Sequence, residues 1–202
     1  MKNIYINKKN ILLFDLDGTL IHTDKANFLS YQEAIRIIKG LDIRFLYKSK
    51  FRFTRKSLYD TIPLLKKEEY QKIIKLKRSL YNKYLNQTKI NNIILETIKK
   101  FSKTNKIILV TNSSKKRAIS ILKYHGLINL FDYKFFKEDY KNKQINKFKY
   151  VLEFLKLNPI KVIIFENEEI EIKKAIYLKI PSENIINLTK GKKSYEQFYN
   201  LY

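Results

Sequence analysis

Residues 11–20 read Ile11-Leu12-Leu13-Phe14-Asp15-Leu16-Asp17-Gly18-Thr19-Leu20. A short apolar run of this kind forms a buried strand when turn residues bound it. The run ends in two carboxylates two positions apart. In an extended chain the side chains at i and i+2 point the same way, so Asp15 and Asp17 converge while Leu16 turns aside. Two acids at one point repel unless a cation or a proton is shared. Gly18 lets the backbone turn sharply just beyond them. The pattern suits a Mg²⁺ ion and a phosphate, with one acid as nucleophile and the other as proton shuttle. Taken alone, the ten residues also fit a strand that ends in a solvated acidic turn.

The chain has 202 residues, enough for one α/β core with an insertion. Its 45% hydrophobic content is that of a globular protein. The absence of cysteine excludes disulfides, thiolate metal sites and cysteine catalysis. The basic N-terminus precedes an apolar run that Asp15 stops too soon for a signal peptide, and no stretch approaches a membrane span. A soluble, cytoplasmic protein is expected.

The formal charge of +23 invites a nucleic-acid interpretation. The chain is equally rich in Asn, Ile, Tyr and Phe, a composition that AT-rich coding favours, so the charge serves better as long-range attraction for phosphorylated substrates. Four of six arginines (Arg36, Arg44, Arg52, Arg55) fall in one segment, where Phe45, Tyr47, Phe51 and Phe53 alternate with cations. Such interleaving can hold single-stranded nucleic acid. Packing of the aromatic face inward, with cations outward, is the favoured alternative.

Beyond Leu20, residues 24–100 carry helical periodicity: one helix over 24–39 stopped by Gly40, another over 64–85 with Pro63 in its first turn, and a third over 93–101. A strand-helix rhythm follows. Apolar runs at 106–110, 131–136, 161–165 and 184–188 alternate with helices over 115–125, 147–157 and the acid-rich start at 166–171, and 194–202 closes with a short helix. Alternation of this kind implies an α/β fold, a Rossmann-like parallel sheet with helices on both faces. Ligands of such sheets bind beyond the carboxyl ends of the strands. The acids at 15 and 17, the hydroxyls at 111–114 and the acids at 166–169 therefore meet at one edge.

On these motifs the chain resembles the haloacid dehalogenase-like hydrolases, a superfamily made up largely of phosphatases. The resemblance covers nearly the whole sequence. It implies that Asp15 is a nucleophile forming an aspartyl-phosphate and that Asp17 protonates the leaving oxygen and then activates water. Gly18 and Thr19 complete the substrate-binding turn. Thr111, at the end of Ile107-Ile108-Leu109-Val110, would bind the phosphoryl group with the amide of Asn112. The family lysine falls on Lys143 by spacing, with Lys147, just after the helix cap Asn146, as the second choice. Mg²⁺ would be held by Asp15, Asp17, Glu166 and Asn167. Asn167 departs from the family, which commonly carries Asp there, and His22 departs likewise and reads as a linker or surface residue. The resemblance implies a core of residues 1–21 and 93–202 and a helical cap at 22–92, where Arg44, Arg52 or Arg55 could meet a second substrate anion. The expected activity is Mg²⁺-dependent hydrolysis of a small phosphate monoester. The alternatives are a nucleic-acid 3′-phosphatase or a catalytically weakened protein that binds a phosphorylated ligand or nucleic acid. Oligomeric state leaves no trace in the sequence.

Overall fold

A computed structural model describes residues 6–43, 52–62, 64–141 and 144–188. The chain divides into two compact units: Met1–Ile21 with Ile90–Tyr202, and His22–Lys89.

The first unit is built on five parallel strands, β1 (Ile11–Phe14), β4 (Lys106–Val110), β5 (Tyr133–Phe135), β6 (Val162–Glu166) and β7 (Ile185–Asn187), in the order β5-β4-β1-β6-β7. In chain order this is the doubly wound arrangement 3-2-1-4-5, whose reversal point lies at β1 and β6. The register sets Phe14 beside Leu109 on one side and Phe165 on the other. The apolar runs thus end within one residue of the same level, β4 carrying Val110 one position further. The next positions are Asp15, Val110-Thr111 and Glu166, so the polar clusters gather at one edge.

Helices α4 (Asn92–Phe101), α5 (Lys115–Tyr124), α6 (Lys137–Lys141), α7 (Lys147–Phe154) and α8 (Glu169–Tyr177) belong to this unit. One face of the sheet offers Leu13, Ile108, Val110 and Ile164 to Phe148, Val151 and Leu152 of α7 and Ile172 and Ala175 of α8. Alternation sends Leu12, Phe14 and Phe165 to the other face. There the Phe14 and Phe165 rings stack at 4.2 Å, and all three residues are fully buried. Buried on both faces, the strands are continuous apolar runs, as parallel strands require.

The second unit is helical: α1 (Asp24–Lys39), α2 (Arg55–Thr61), α3 (Lys67–Leu80) and a 3₁₀ segment, Tyr81–Gln87. Two short strands, β2 (Ile21–His22) and β3 (Lys89–Ile90), pair where the chain leaves and re-enters the first unit. Gly40, at φ 67°, ends α1 with its N–H on the Arg36 carbonyl. Two helices that periodicity does not announce appear: α2, capped by a reciprocal Thr54–Ser57 pair, and the single-turn α6. The helix expected over 64–85 begins only at Lys67, because Leu64 takes a left-handed φ of 59°, and it tightens into the 3₁₀ segment after Leu80. Phe53 packs against Phe28 and Tyr31, with ring centroids 5.7 and 5.1 Å away, and is buried in the core of this unit. It is therefore spent on packing. Arg44, Phe45, Tyr47, Phe51, Pro63, Lys143 and the helix expected over 194–202 lie outside the described residues. Among the described residues, no helix is long and apolar enough to cross a membrane.

Candidate active site

Asp15 directly follows β1 and extends its ladder, its N–H donating to the Phe165 carbonyl at 3.1 Å. The carboxylate is buried and faces Lys147, whose Nζ lies 2.8 Å from Asp15 Oδ1 and 2.7 Å from Glu166 Oε2. Lys147 is the first residue of α7. The side chain of Asn146 caps that helix by accepting from the N–H groups of Phe148 and Lys149, at 2.7 and 3.3 Å, and this fixes where Lys147 starts. Asn146 is itself held by Glu171 of α8 through a 3.0 Å bond from its Nδ2 to Oε2.

The three buried charges bias one another. Burial, then the neighbouring Glu166 charge, pushes the Asp15 carboxyl well above the usual carboxylate range, and Lys147 pulls the other way. Burial alone pulls the Lys147 ammonium down. Asp15 and Glu166 outweigh it and hold the ammonium above its ordinary value. Glu166 is fully engaged: Oε2 takes Lys147, and Oε1 accepts the backbone N–H groups of Asn167 and Glu168 at 2.9 Å each.

Asp17 has different partners. Arg117 Nη2 lies 2.6 Å from Oδ1 and Nη1 lies 3.0 Å from Oδ2. The Ser113 hydroxyl donates to Oδ2 and accepts from Arg117 Nη1, closing a three-membered ring of polar groups. Asp17 and Glu166 were both expected among the metal holders. Here the Asp17 carboxylate accepts from Arg117 and Ser113, and that of Glu166 from Lys147 and two backbone N–H groups.

Between the two acids and their neighbours lies the turn. Gly18 has φ 85°, and a Cβ there would sit 2.3 Å from Asn167 Nδ2. Glycine is thus required twice, by its conformation and by the amide lying against it. Thr19 is fully buried and donates to Asn167 Oδ1 at 3.1 Å. Thr111 lies at the end of β4, with its Oγ1 accepting from the Ser113 N–H at 3.1 Å. The Tyr140 hydroxyl is 2.8 Å from both the Thr111 carbonyl and Asn112 Oδ1. Burial pushes its phenol far up, so it stays a proton donor to this loop.

Asp15, Asp17, Gly18, Thr19, Thr111, Asn112, Lys147, Glu166 and Asn167 all belong to the first unit. Arg52 belongs to the helical unit, where its Nε lies 3.7 Å from Asp24 Oδ1. His22 is exposed. Sequence reasoning counted Ser113 only among the hydroxyls at 111–114 and passed over Arg117. The available signal was scarcity: Arg117 is one of only six arginines and stands six residues past Thr111.

Among the described residues, no three His, Cys, Asp or Glu gather as a metal cluster. Hard oxygen donors at this edge include the Asp15 carboxylate, bonded through Oδ1 to Lys147, and the Asn167 amide oxygen, which accepts from Thr19. That set fits Mg²⁺, which accepts one or two protein oxygens when phosphate and water complete its shell.

A model of the haloacid dehalogenase-like hydrolase family matches residues 12–183. The chain belongs to that family. It is therefore an enzyme of hydrolase type. Solved structures agree on the fold. A haloacid dehalogenase-like hydrolase from Streptococcus pneumoniae is 17% identical with a TM-score of 0.68, over 86% of this chain and 82% of that one. A predicted phosphoglycolate phosphatase from Haemophilus somnus is 18% identical with a TM-score of 0.70, over 85% and 82%. A beta-phosphoglucomutase from Clostridium difficile is 18% identical with a TM-score of 0.62, over 95% and 99%. No curated protein sequence matches the chain.

Proposed function

We propose that this hydrolase cleaves a small phosphate monoester through an aspartyl-phosphate on Asp15. The observation that carries the proposal is the separate pairing of two neighbouring acids: Asp15 with Lys147 and Asp17 with Arg117. Two carboxylates in different environments can take different roles.

Lys147 engages Oδ1 of Asp15, and Oδ2 is the oxygen that attacks phosphorus. The ester oxygen leaves as it takes a proton from Asp17. Water then gives a proton to Asp17 and attacks the same phosphorus, releasing phosphate and restoring the Asp15 carboxylate. Lys147, the Thr111 hydroxyl and the Asn112 and Gly18–Thr19 backbone would hold the non-bridging oxygens. Positioning and charge neutralisation are most of what phosphoryl transfer asks of a protein. Mg²⁺, held by Asp15 and Asn167, would supply positive charge that offsets the repulsion between carboxylate and phosphate dianion. Arg52 is a candidate contact for a second anion on the substrate. Phe53, one of the aromatics that interleave with cations, is buried in packing and not offered to bases.

The test is phosphate release from a panel of small phosphoesters and 3′-phosphorylated oligonucleotides, with and without Mg²⁺. Asp15→Asn is expected to abolish release from every ester the wild type hydrolyses. Turnover that survives this substitution would falsify the mechanism. Release from the oligonucleotides alone would favour a nucleic-acid 3′-phosphatase.

A further inference from the structure

No step of the phosphomonoesterase set out above is assigned to Arg117, yet it grips both oxygens of Asp17. Its two terminal nitrogens meet the two oxygens of Asp17 side by side, at 2.6 and 3.0 Å. The Ser113 hydroxyl bridges the same pair. A carboxylate gripped at one oxygen can still swing about its Cβ–Cγ bond. A fork that grips both oxygens fixes the plane of the group as well as its position. The Asp17 side chain is 7% exposed and that of Arg117 19%, so water does little to loosen the contact.

The anchoring of Arg117 is equally definite. Ser114 caps α5, its hydroxyl accepting from the Arg117 N–H, which seats the arginine in the first turn of a helix directly beyond β4. Ser113, one residue earlier, is tied to Thr111 through its own N–H. The loop that ends β4 thus holds Thr111 and, through Ser113 and Arg117, the side chain of Asp17.

We propose that Arg117 is a positioning residue for Asp17, its guanidinium fork and the Ser113 hydroxyl holding the proton-transferring carboxylate in one orientation beside Asp15. The inference rests on the phosphomonoesterase function above. A misplacement of about 1 Å in such a group can cost on the order of 100-fold in rate. Lysine, a point charge on a flexible stem, cannot replace the fork.

The experiment compares wild type, Arg117→Ala, Arg117→Lys, Asp17→Asn and the Asp17→Asn/Arg117→Ala double variant. An alkyl phosphate and a nitrophenyl phosphate from the hydrolysed panel serve as substrates. The alkoxide needs a proton to leave and the nitrophenolate needs little. In single-turnover release of the alcohol, which reads the ester-cleaving step alone, Arg117→Ala is expected to slow the alkyl ester by about tenfold or more and the nitrophenyl ester by no more than about threefold. KM stays within about twofold for both. Arg117→Lys is expected to behave like Arg117→Ala, and it carries the test if the alanine variant does not fold. On the nitrophenyl ester, adding Arg117→Ala to Asp17→Asn is expected to change kcat by less than about twofold, since a residue that acts through Asp17 has nothing left to act on. A raised KM with kcat preserved would assign Arg117 to substrate binding and overturn the proposal. Equal losses on both esters would overturn it in favour of a structural role, as would single-variant factors that multiply in the double variant. Turnover surviving Asp15→Asn would instead remove the phosphomonoesterase itself, whatever the Arg117 variants do.

Discussion

Gly18 shows how tightly single residues are constrained at this edge. Its φ of 85° disfavours any side chain, and the Asn167 amide occupies the space a Cβ would need. Gly18→Ala is expected to destabilise the fold by about 1–2 kcal/mol or more and to disturb Asn167. Adding Asn167→Ala removes the collision but not the backbone strain, so urea unfolding of the double variant should recover part of the loss and not all of it. Lys147 is constrained by charge. It neutralises two buried carboxylates, and Lys147→Met leaves both without their cation. Removal of one partner from a buried ionic set costs about 3–5 kcal/mol, so this variant should show a clearly lowered urea midpoint. An unchanged midpoint would mean that Asp15 and Glu166 reach water or share a proton on their own.

Elements place these residues, and the caps decide where elements start. Lys147 reaches Asp15 because Asn146 begins α7 one residue earlier and Glu171 of α8 anchors Asn146. In the helical unit a similar tie joins the 3₁₀ segment to α1: the Tyr84 hydroxyl donates to Glu33 Oε2 at 2.5 Å, and Lys83 binds the other oxygen at 2.8 Å. Burial, reinforced by Glu33, raises the Tyr84 phenol from 10.0 to about 12. A proton held more tightly in the folded state stabilises it fully below the unfolded value and ceases to do so as pH climbs through the folded one. Wild-type stability should therefore fall between pH 10 and 12 by an increment that Tyr84→Phe lacks. Glu33 gives the mirror case. Its bonds from Lys83 and Tyr84 lower its pKa, so its contribution is present above 4.5 and is lost as pH falls below that value. Near neutral pH, Tyr84→Phe should cost about 1.5 kcal/mol, the low end for a hydrogen bond to a charged group because Tyr84 is only half-buried. Urea titrations across the pH range would check both signs.

At the scale of the whole molecule the dominant feature is charge, +23 over 202 residues. A field of that sign draws anionic esters towards the protein and is screened by salt within about 10 Å at 0.1 M. For a hydrolase acting on phosphate dianions, kcat/KM should decline as salt is added while kcat stays constant. Steady-state kinetics over an ionic-strength series would show this. A falling kcat at saturating substrate would instead place the salt effect inside the site.

Much of this molecule was legible in one dimension. The β1 run, the 106–110 strand ending at Thr111, the Gly40 stop and the Asn146 cap are all local matters of alternation, turn conformation and helix-end chemistry. The parallel α/β class followed from their order, and with it the meeting of three polar clusters at one edge. The sequence could not choose partners. Lys147 and Asp15 are 132 residues apart, Arg117 and Asp17 are 100 apart, and Asn167 and Thr19 are 148 apart. Spacing favoured Lys143, a residue outside the described ones, and the scarcity of arginine could mark Arg117 but not point it at Asp17. By itself the sequence determined the strands of the sheet and the longer helices, though not α2, α6 or either end of α3, because backbone geometry and burial periodicity act over a few residues. Only the tertiary structure decided which cation each acid receives, because strand register and helix start brought Lys147 to Asp15 and Arg117 to Asp17 across most of the chain.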